Sequence, residues 1–284
     1  MEQPQGYVDA LRDDGRLVPL KIETKTLIEP EHLAKNITAN LGRNLPRFVN
    51  RLGFGQIRNE PLAIVCAGPT LVDTVDRVRD FEHVLVCGSA HDFLVRQGII
   101  PNYAVVCDGG KEDKGNLSLP QKETAYLIAS QCDPSLFDHL SDFHVELWHY
   151  RGQATKTPEE EAVLLNGEPS ISWGSSVGIV AISLARMLGF QHLHFFGLDS
   201  SDGDHGLSHH GCKIAGSMEY QKTPVKIGGR TFITDLALIE QASQFCRYVE
   251  TEYQFLHSTI HGDGLLAAMI RHGEPGLEKL ISLA

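Results

Sequence analysis

The chain has 284 residues, of which 42% are apolar and 21% are charged, a composition that supports a full hydrophobic core. It excludes a disordered, collagen-like, low-complexity or coiled-coil protein. Lys and Arg number 25 against 36 Asp and Glu, so the net charge is −11, and the basic residues are scattered along the chain. Nucleic acid needs a positive groove to neutralise its phosphates, and we therefore expect no nucleic-acid partner.

The sequence predicts neither secretion nor membrane insertion. Residues 1–16 are polar and acidic, unlike a secretory signal, and no apolar run approaches the ~18 residues of a membrane span. The six cysteines form no CxxC pair, and Cys66, Cys87 and Cys107 each end an apolar run, where a small apolar residue is typical. We expect a cytoplasmic protein with reduced thiols and no transmembrane segment.

Residues 1–60 are predicted to form an N-terminal accessory segment. Its polar beginning is compatible with strands, and a helical pattern then runs from Ile37 to Leu52 with an interruption at Pro46. No catalytic motif is evident in it.

Residues 61–284 alternate short apolar runs with helical patterns. The runs of strand length are 62–66, 83–87, 103–107, 126–130, 144–148, 192–196 and 253–257. The helical patterns lie near 70–80, 89–97, 134–140, 175–188 and 233–250. The first three runs end 21 and 20 residues apart, as repeated βαβ units require. The predicted fold class is α/β, a Rossmann-like doubly wound, mostly parallel sheet with helices on both faces.

Two later segments depart from this alternation. Residues 198–230 are rich in Gly, Asp, His and Ser, and we interpret them as an active-site loop or a small insertion. Residues 257–284 are predicted to form a loop and one or two closing helices.

The turn after the first predicted strand is the first candidate ligand site. In an open α/β sheet, ligands bind beyond the carboxyl ends of the strands. Here this position holds Gly68-Pro69-Thr70, where glycine permits a tight turn and the amides of the following helix attract a phosphate. An ordinary strand-to-helix turn without a ligand explains the same residues.

The next two turns carry Ser89 and the pair Asp108-Gly109. An acid at the end of a strand, followed by glycine, is well placed to bind a ribose hydroxyl, a metal ion or a substrate hydroxyl. Asp108 could equally cap its own turn.

Downstream, Gly174-Ser175-Ser176 opens the most apolar helical pattern, and its hydroxyls and amides could cap the helix and hold a phosphate or carboxylate. The run 192–196 leads into Asp199, and Gly262 lies in a further turn before an apolar helix.

Histidines are concentrated in the predicted active-site loop. Imidazole suits general acid or base catalysis near neutral pH, so His205 and His209 are candidate catalytic residues together with Asp199. A zinc site of His205, His209 and Cys212 is an alternative, and a polar loop without a function is another.

In order along the chain, the segments 61–71, 98–108 and 174–199 resemble the MptE-like 6-hydroxymethylpterin diphosphokinase family. That family also contains the core domain of the motility accessory factor (Maf) glycosyltransferases, and the resemblance covers about residues 60–270. It implies a Rossmann-like transferase domain over residues 61–284.

The arrangement is also similar to bacterial sialyltransferases that use a CMP-sugar donor. Their Gly-Pro-Ser loop matches Gly68-Pro69-Thr70, their helix start matches the region of Gly174, and their catalytic Ser-His matches Ser208-His209. Ser89 and Asp108 differ from the polar residues at the corresponding positions, so the match does not extend to cytidine recognition.

These resemblances imply three classes of function. The first is glycosyl transfer from a nucleotide-sugar donor to an acceptor hydroxyl, with His209 as the base and no obligatory metal. The second is pyrophosphate transfer from ATP to a pterin alcohol, with Mg²⁺ held by Asp108 and Asp199. The third is a nucleotide-binding module without catalysis.

We favour the first class because Ser208-His209 matches it, and because the sequence has no Walker motif for ATP. The expected partners are a nucleotide or nucleotide-sugar donor and a small-molecule, glycan or protein acceptor, and an oligomer is compatible with this function.

Overall fold

A computed structural model describes residues 7–11, 17–21, 28–48, 57–111, 113–151, 154–171, 174–203, 206, 221–252, 256–272 and 281–284. The strands are β1 Tyr7–Leu11, β2 Leu17–Lys21, β3 Arg58–Val65, β4 His83–Cys87, β5 Tyr103–Val106, β6 Ala125–Ala129, β7 His144–Trp148, β8 Phe190–Phe196, β9 Thr223–Ile227, β10 Arg230–Thr234, β11 His257–His261 and β12 Ile281–Leu283. The helices are α1 Pro30–Leu41, α2 Leu71–Val78, α3 His91–Arg96, α4 Asp113–Asn116, α5 Pro134–His139, α6 Pro158–Leu164, α7 Val177–Met187, α8 Leu236–Glu252 and α9 Leu265–His272.

The main sheet has eight strands in the order β12-β11-β8-β3-β4-β5-β6-β7. The strand pairs with a described register are parallel in this sheet, whereas β1–β2 and β9–β10 are separate antiparallel pairs. Strands such as β6 are buried along their whole length, as the continuous apolar runs predict. The predicted α/β fold with a mostly parallel sheet is confirmed.

The chain divides into two compact units. Unit 1 contains Met1–Lys25, Asn59–Phe81 and Gln191–Ala284, and unit 2 contains Thr26–Arg58 and Glu82–Phe190. Among the described residues, no helix is long and apolar enough to cross a membrane. The five described cysteines are buried and form no disulfide with one another.

In unit 1, neighbouring residues of β8 show that helices cover both faces of the sheet. Phe196 packs edge-on against Phe81, just beyond α2, with ring centroids 5.6 Å apart. Phe195 packs against Phe245 of α8 at 5.1 Å. Because successive side chains of a strand point to opposite faces, α2 and α8 lie on opposite sides of β8.

In unit 2, α1 is held by two buried asparagines. Asn40 donates from its side-chain amide to the main-chain carbonyls of Ser130 and Cys132, at 2.9 and 2.8 Å. Asn36 donates to the carbonyl of Gln131 at 2.9 Å. These carbonyls follow β6, so the helix satisfies acceptors at the carboxyl end of that strand.

The end of the chain differs from the prediction. The helical pattern predicted near 233–250 begins too early, because Ile233 and Thr234 belong to β10, where Phe232 and Thr234 are buried and Ile233 is exposed. This alternation has the period of a strand, and α8 begins only after Asp235, whose carboxylate accepts from the Leu238 amide.

Two further predictions were wrong in position. The strand predicted at 253–257 is β11, four residues later, because its sequence HSTIH has a single apolar residue and forms no apolar run. Consequently the stretch 257–284 contains β11 and β12 as well as α9. The helix predicted to reach Leu52 ends at Leu41.

Candidate functional site

The order of the strands defines a reversal point between β3 and β8 in unit 1. From β3 the chain proceeds outward through β4 to β7, then returns to β8 on the other side of β3 and continues to β11 and β12. Ligands of open α/β sheets bind beyond the carboxyl ends of the strands at such a point. Gly68-Pro69-Thr70 follows β3 there, and Asp199 follows β8.

Asp199 is bound to Thr70 by two hydrogen bonds. The Thr70 amide donates to Oδ2 at 2.9 Å and the Thr70 hydroxyl donates to Oδ1 at 2.6 Å. The side chain is only 4% exposed, and this burial raises the pKa of Asp199 to about 6 although the bonds from Thr70 act in the opposite direction. The geometry makes Asp199 a positioning residue for the turn after β3.

This carboxylate changes the expectation that the turn offers its amides to a phosphate. The Gly68 amide donates to the Gly197 carbonyl at 2.8 Å, the Thr70 amide donates to Asp199, and the Leu71 amide donates to the Gly68 carbonyl at 3.1 Å. Asp199 therefore supplies the negative charge that a bound anion would bring. Gly68, Pro69 and Thr70 remain partly exposed, so contact between this turn and a ligand stays a prediction.

Close backbone approach joins the turn after β11 to the same cluster. Gly262 has a φ of +117°, and a Cβ added there would collide with the hydroxyl of Thr70. A Cβ on Gly68 would collide with Asp199 and with the Gly197 carbonyl. The structure thus brings together Gly68, Thr70, Asp199 and Gly262, all within unit 1.

A second cluster lies in unit 2 around Tyr150. The hydroxyl of Tyr150 donates to the Gly174 carbonyl. Desolvation raises the pKa of Tyr150, and nearby Cys107 and Asp108 raise it further. Asp108 and Gly174, which are 66 residues apart in the sequence, therefore both lie close to this tyrosine.

Asp108 combines an exposed side chain with a perturbed carboxyl. Its side chain is solvent accessible, while desolvation by surrounding protein atoms raises its pKa. The carboxylate is therefore accessible to solvent although protein atoms surround it. Tyr150 was not among the predicted site residues, although its place two residues after β7 could have indicated it.

The remaining predicted residues of unit 2 have different environments. Ser176 occupies the N-cap position of α7, but its hydroxyl does not make the expected capping bond, and Ser175 is exposed beside it. Ser89 lies half-buried in the single 3-10 turn after β4. Gly109 is buried, and a Cβ there would come within 2.5 Å of Leu33 in α1, so packing of that helix already explains this glycine.

An ion-pair cluster borders the turn after β11. Arg230 donates to Asp263 Oδ2 at 2.5 Å and to the Asp263 carbonyl at 3.1 Å, and Arg271 donates to Oδ1 at 3.0 Å. Burial alone would raise the pKa of Asp263, but the two guanidiniums hold it below its usual value. The sequence analysis missed both arginines because nothing in their spacing predicts convergence on Asp263.

Metal binding by the other predicted residues stays a prediction. His205, His209, Ser208 and Cys212 lie outside the described residues, and the described part contains no group of three or more His, Cys, Asp or Glu suited to a metal ion. Both oxygens of Asp199 accept hydrogen bonds from Thr70, and its role as a Mg²⁺ ligand stays a prediction.

Among solved structures, a Maf glycosyltransferase from Magnetospirillum magneticum AMB-1 is similar to the chain, with a TM-score of 0.66 and 14% identity. The alignment covers 92% of this chain and 39% of that one, so the chain spans about two-fifths of the length of this neighbour. This likeness shows the fold alone. No curated protein matches the chain.

A mammalian sialyltransferase aligns with a TM-score of 0.32 and 10% identity, over 64% of this chain and 76% of that one. A mammalian sialyltransferase in complex with Gal-beta-1-3GalNAc-ortho-nitrophenol aligns with the same score and identity, over 68% of this chain and 82% of that one. Scores this low support no conclusion about this chain.

At the level of sequence, the model of the family described as 6-hydroxymethylpterin diphosphokinase MptE-like matches residues 31–205, more than half of the chain. The match begins in α1 and ends beyond Asp199, so it includes the turns after β3, β5 and β8. The chain therefore belongs to the MptE-like 6-hydroxymethylpterin diphosphokinase family.

Proposed function

We propose that this protein is a nucleotide-dependent transferase that moves a sugar from a nucleotide-sugar donor to an acceptor hydroxyl. The observation that carries the proposal is the cluster of Asp108, Tyr150 and Gly174 in unit 2. It joins an accessible carboxylate to the start of α7, where Ser175 is exposed. A carboxylate can hold ribose or sugar hydroxyls, and a helix start can hold a phosphate.

In this proposal each residue has one task. Asp108 accepts hydrogen bonds from the ribose or sugar, and Ser175, Ser176 and the first amides of α7 bind the donor phosphate. Asp199 fixes the turn at Gly68-Pro69-Thr70 within unit 1.

The chemical step is a substitution at the anomeric carbon. His209 takes the proton of the acceptor hydroxyl, the acceptor oxygen bonds to the anomeric carbon, and the bond from that carbon to the donor phosphate oxygen breaks. The nucleotide leaves with the electron pair, stabilised by backbone dipoles, so this step requires no metal ion. His205 is proposed as a second catalytic residue and Gly262 as a binding residue. The acceptor is a small molecule, a glycan or a protein.

The match in fold to a Maf glycosyltransferase supports this choice of reaction. The family description favours a second candidate, pyrophosphate transfer from ATP to a pterin alcohol. In that case Mg²⁺ is proposed to arrive with the nucleotide phosphates and to take Asp108 as a ligand, since Mg²⁺ is often bound through one carboxylate and the substrate. A nucleotide-binding module without catalysis is the remaining alternative.

A thermal-shift panel of nucleotides, nucleotide sugars and pterins, with and without Mg²⁺, tests the proposal. A ligand that binds only the native state raises the melting temperature. At a hundredfold excess over its Kd, such a ligand adds about 2.7 kcal/mol to the free energy of unfolding. Chromatography of the products then separates the reactions. Sugar transfer releases the free nucleotide of the donor, whereas pyrophosphate transfer converts ATP into AMP.

Two substitutions test the residue assignments. His209→Ala should abolish turnover with donor affinity nearly unchanged, and full turnover in this variant would remove His209 from the mechanism. Asp108→Ala should weaken donor binding in calorimetry, whereas Asp142→Ala, at an exposed acid of the same unit, should not. Equal dissociation constants for these two variants would exclude Asp108 from the site.

A further inference from the structure

Arg230, Arg271 and Asp263 form an exposed cluster with two positive charges and one negative charge. The side chains are 50%, 45% and 57% exposed, respectively. Such an excess of positive charge contrasts with a chain whose net charge is −11. An exposed pair of arginines bridged by one carboxylate contributes little to stability.

The guanidinium of Arg230 is held in place by an aromatic ring. It lies 4.7 Å from the centre of the Phe232 ring, and Phe232 is buried in the β9–β10 pair. Stacking of this kind fixes the plane of the guanidinium and presents its fork of donors in one direction.

The two guanidiniums have more donors than Asp263 uses. Each guanidinium carries about five N–H donors. Asp263 engages two nitrogens of Arg230 and one of Arg271. An anion with several oxygens could therefore bind both arginines in the bidentate manner that suits phosphate.

The position of Asp263 places this cluster at a ligand-binding edge of the sheet. Asp263 directly follows Gly262, which packs against the hydroxyl of Thr70 at the reversal point between β3 and β8. The amides of the turn at Thr70 are already used by Asp199 and Gly197, so an anion at this edge needs other donors. Arg230 and Arg271 are the described cations that meet beside it.

We infer that Arg230 and Arg271 form a binding site for a pyrophosphate group, and that Asp263 is an internal anion which the ligand displaces. The two guanidiniums match the two phosphates, while the exposed Asp263 carboxylate can turn into solvent. The inference stands on these three residues and does not depend on which group the protein transfers.

Isothermal titration calorimetry with inorganic pyrophosphate at low ionic strength tests the site. Arg230→Gln and Arg271→Gln should each weaken binding by about tenfold or more, because each removes charge-assisted hydrogen bonds. Asp263→Asn should tighten binding by about threefold to tenfold, since it removes the competing charge but keeps the size of the side chain. Arg79→Gln, in the exposed pair of Arg79 with Asp76 on α2, is the matched control and should leave binding unchanged.

Asp263→Asn keeps the test valid even if an arginine variant unfolds, because its expected effect is a gain. Unchanged or weaker binding in Asp263→Asn overturns the displacement by pyrophosphate, and so does undetectable binding to the wild-type chain. Equal affinity of the Arg230→Gln and Arg79→Gln variants, both folded, overturns the site itself.

Nucleotides identify the source of the pyrophosphate group. A nucleotide source predicts that ADP or UDP binds more tightly than AMP or UMP, with the difference lost in Arg230→Gln. If the site instead binds pyrophosphate as a released product, only the affinity for free pyrophosphate should fall in Arg230→Gln. If the proposed sugar transfer fails, no turnover is found, but the pyrophosphate titration keeps its outcome.

Discussion

Replacing Thr70 by valine removes one of the two hydrogen bonds to Asp199 and leaves the other intact. The hydroxyl of Thr70 donates to Oδ1 at 2.6 Å, while the amide bond to Oδ2 belongs to the main chain. Valine has nearly the same shape, so the variant leaves a buried carboxylate oxygen without its hydroxyl donor. A hydrogen bond to a charged group contributes about 1.5–3 kcal/mol, and a neutral one about 0.5–1.5 kcal/mol.

The loss should depend on pH because the pKa of Asp199 is raised to about 6. A raised pKa means that burial of Asp199 favours folding in acid and that this contribution is lost as the pH rises through about 6. Thr70→Val should therefore lose about 1.5–3 kcal/mol at pH 8, where Asp199 is charged, and about 1 kcal/mol less at pH 5. By the same reasoning the pKa of Asp199 rises by about one further unit in the variant.

Urea denaturation of the wild-type chain, Thr70→Val and Thr70→Ser at pH 5 and pH 8 measures these differences. Thr70→Ser keeps the hydroxyl and serves as the matched control, which should lose much less at pH 8. Equal losses for Thr70→Val at the two pH values would refute the assignment of the buried charge to Asp199.

Three other substitutions test the packing at Gly68, the burial of His261 and the docking of α1. Gly68→Ala should lower the free energy of unfolding by about 2 kcal/mol or more, since its Cβ would collide with Asp199. Gly115→Ala, where the Cβ position is open, is the control and should not lower it. Equal melting temperatures of the two variants would contradict this packing. Burial lowers the pKa of His261 to about 4, so its contribution to stability is present above about 6.5 and is lost as the pH falls toward 4. His261→Phe should therefore flatten the loss of stability in acid by up to about 3 kcal/mol, and an unchanged pH profile by urea denaturation would count against it. Asn40→Ala should lower the free energy of unfolding by about 2–4 kcal/mol, because two buried carbonyls lose their donor. Chemical denaturation measures this change, and a decrease under about 0.5 kcal/mol would disprove the docking of α1.

The core strands could be predicted from the sequence because they are apolar on both faces. The boundaries predicted for β4 and β7 agree with the structure, and α7 follows the predicted apolar stripe closely. The position of β11 was not predicted correctly, because this strand carries histidine and threonine and forms no apolar run. The helical pattern predicted near 233–250 likewise overlaps β10, whose sequence RTFIT gives no clear strand alternation.

The site could be predicted only to the level of the sheet edge. The rule for carboxyl ends correctly indicated that Thr70 and Asp199 face the same edge, but their direct bond joins residues 129 positions apart and has no local signal. Gly109 was predicted to contact a ligand, but the close packing of Leu33 already explains why a glycine occupies this position. Tyr150 and the arginines around Asp263 depend on long-range packing, which periodicity does not encode.

A crystal structure of the chain with the nucleotide selected by the thermal panel tests donor binding at Asp108 most directly. We expect ribose or sugar hydroxyls within hydrogen-bond distance of Asp108, and a donor phosphate at the start of α7 beside Ser175. A nucleotide bound with no contact to Asp108, for example in the surface groove lined by Thr38 and Val163, would contradict it.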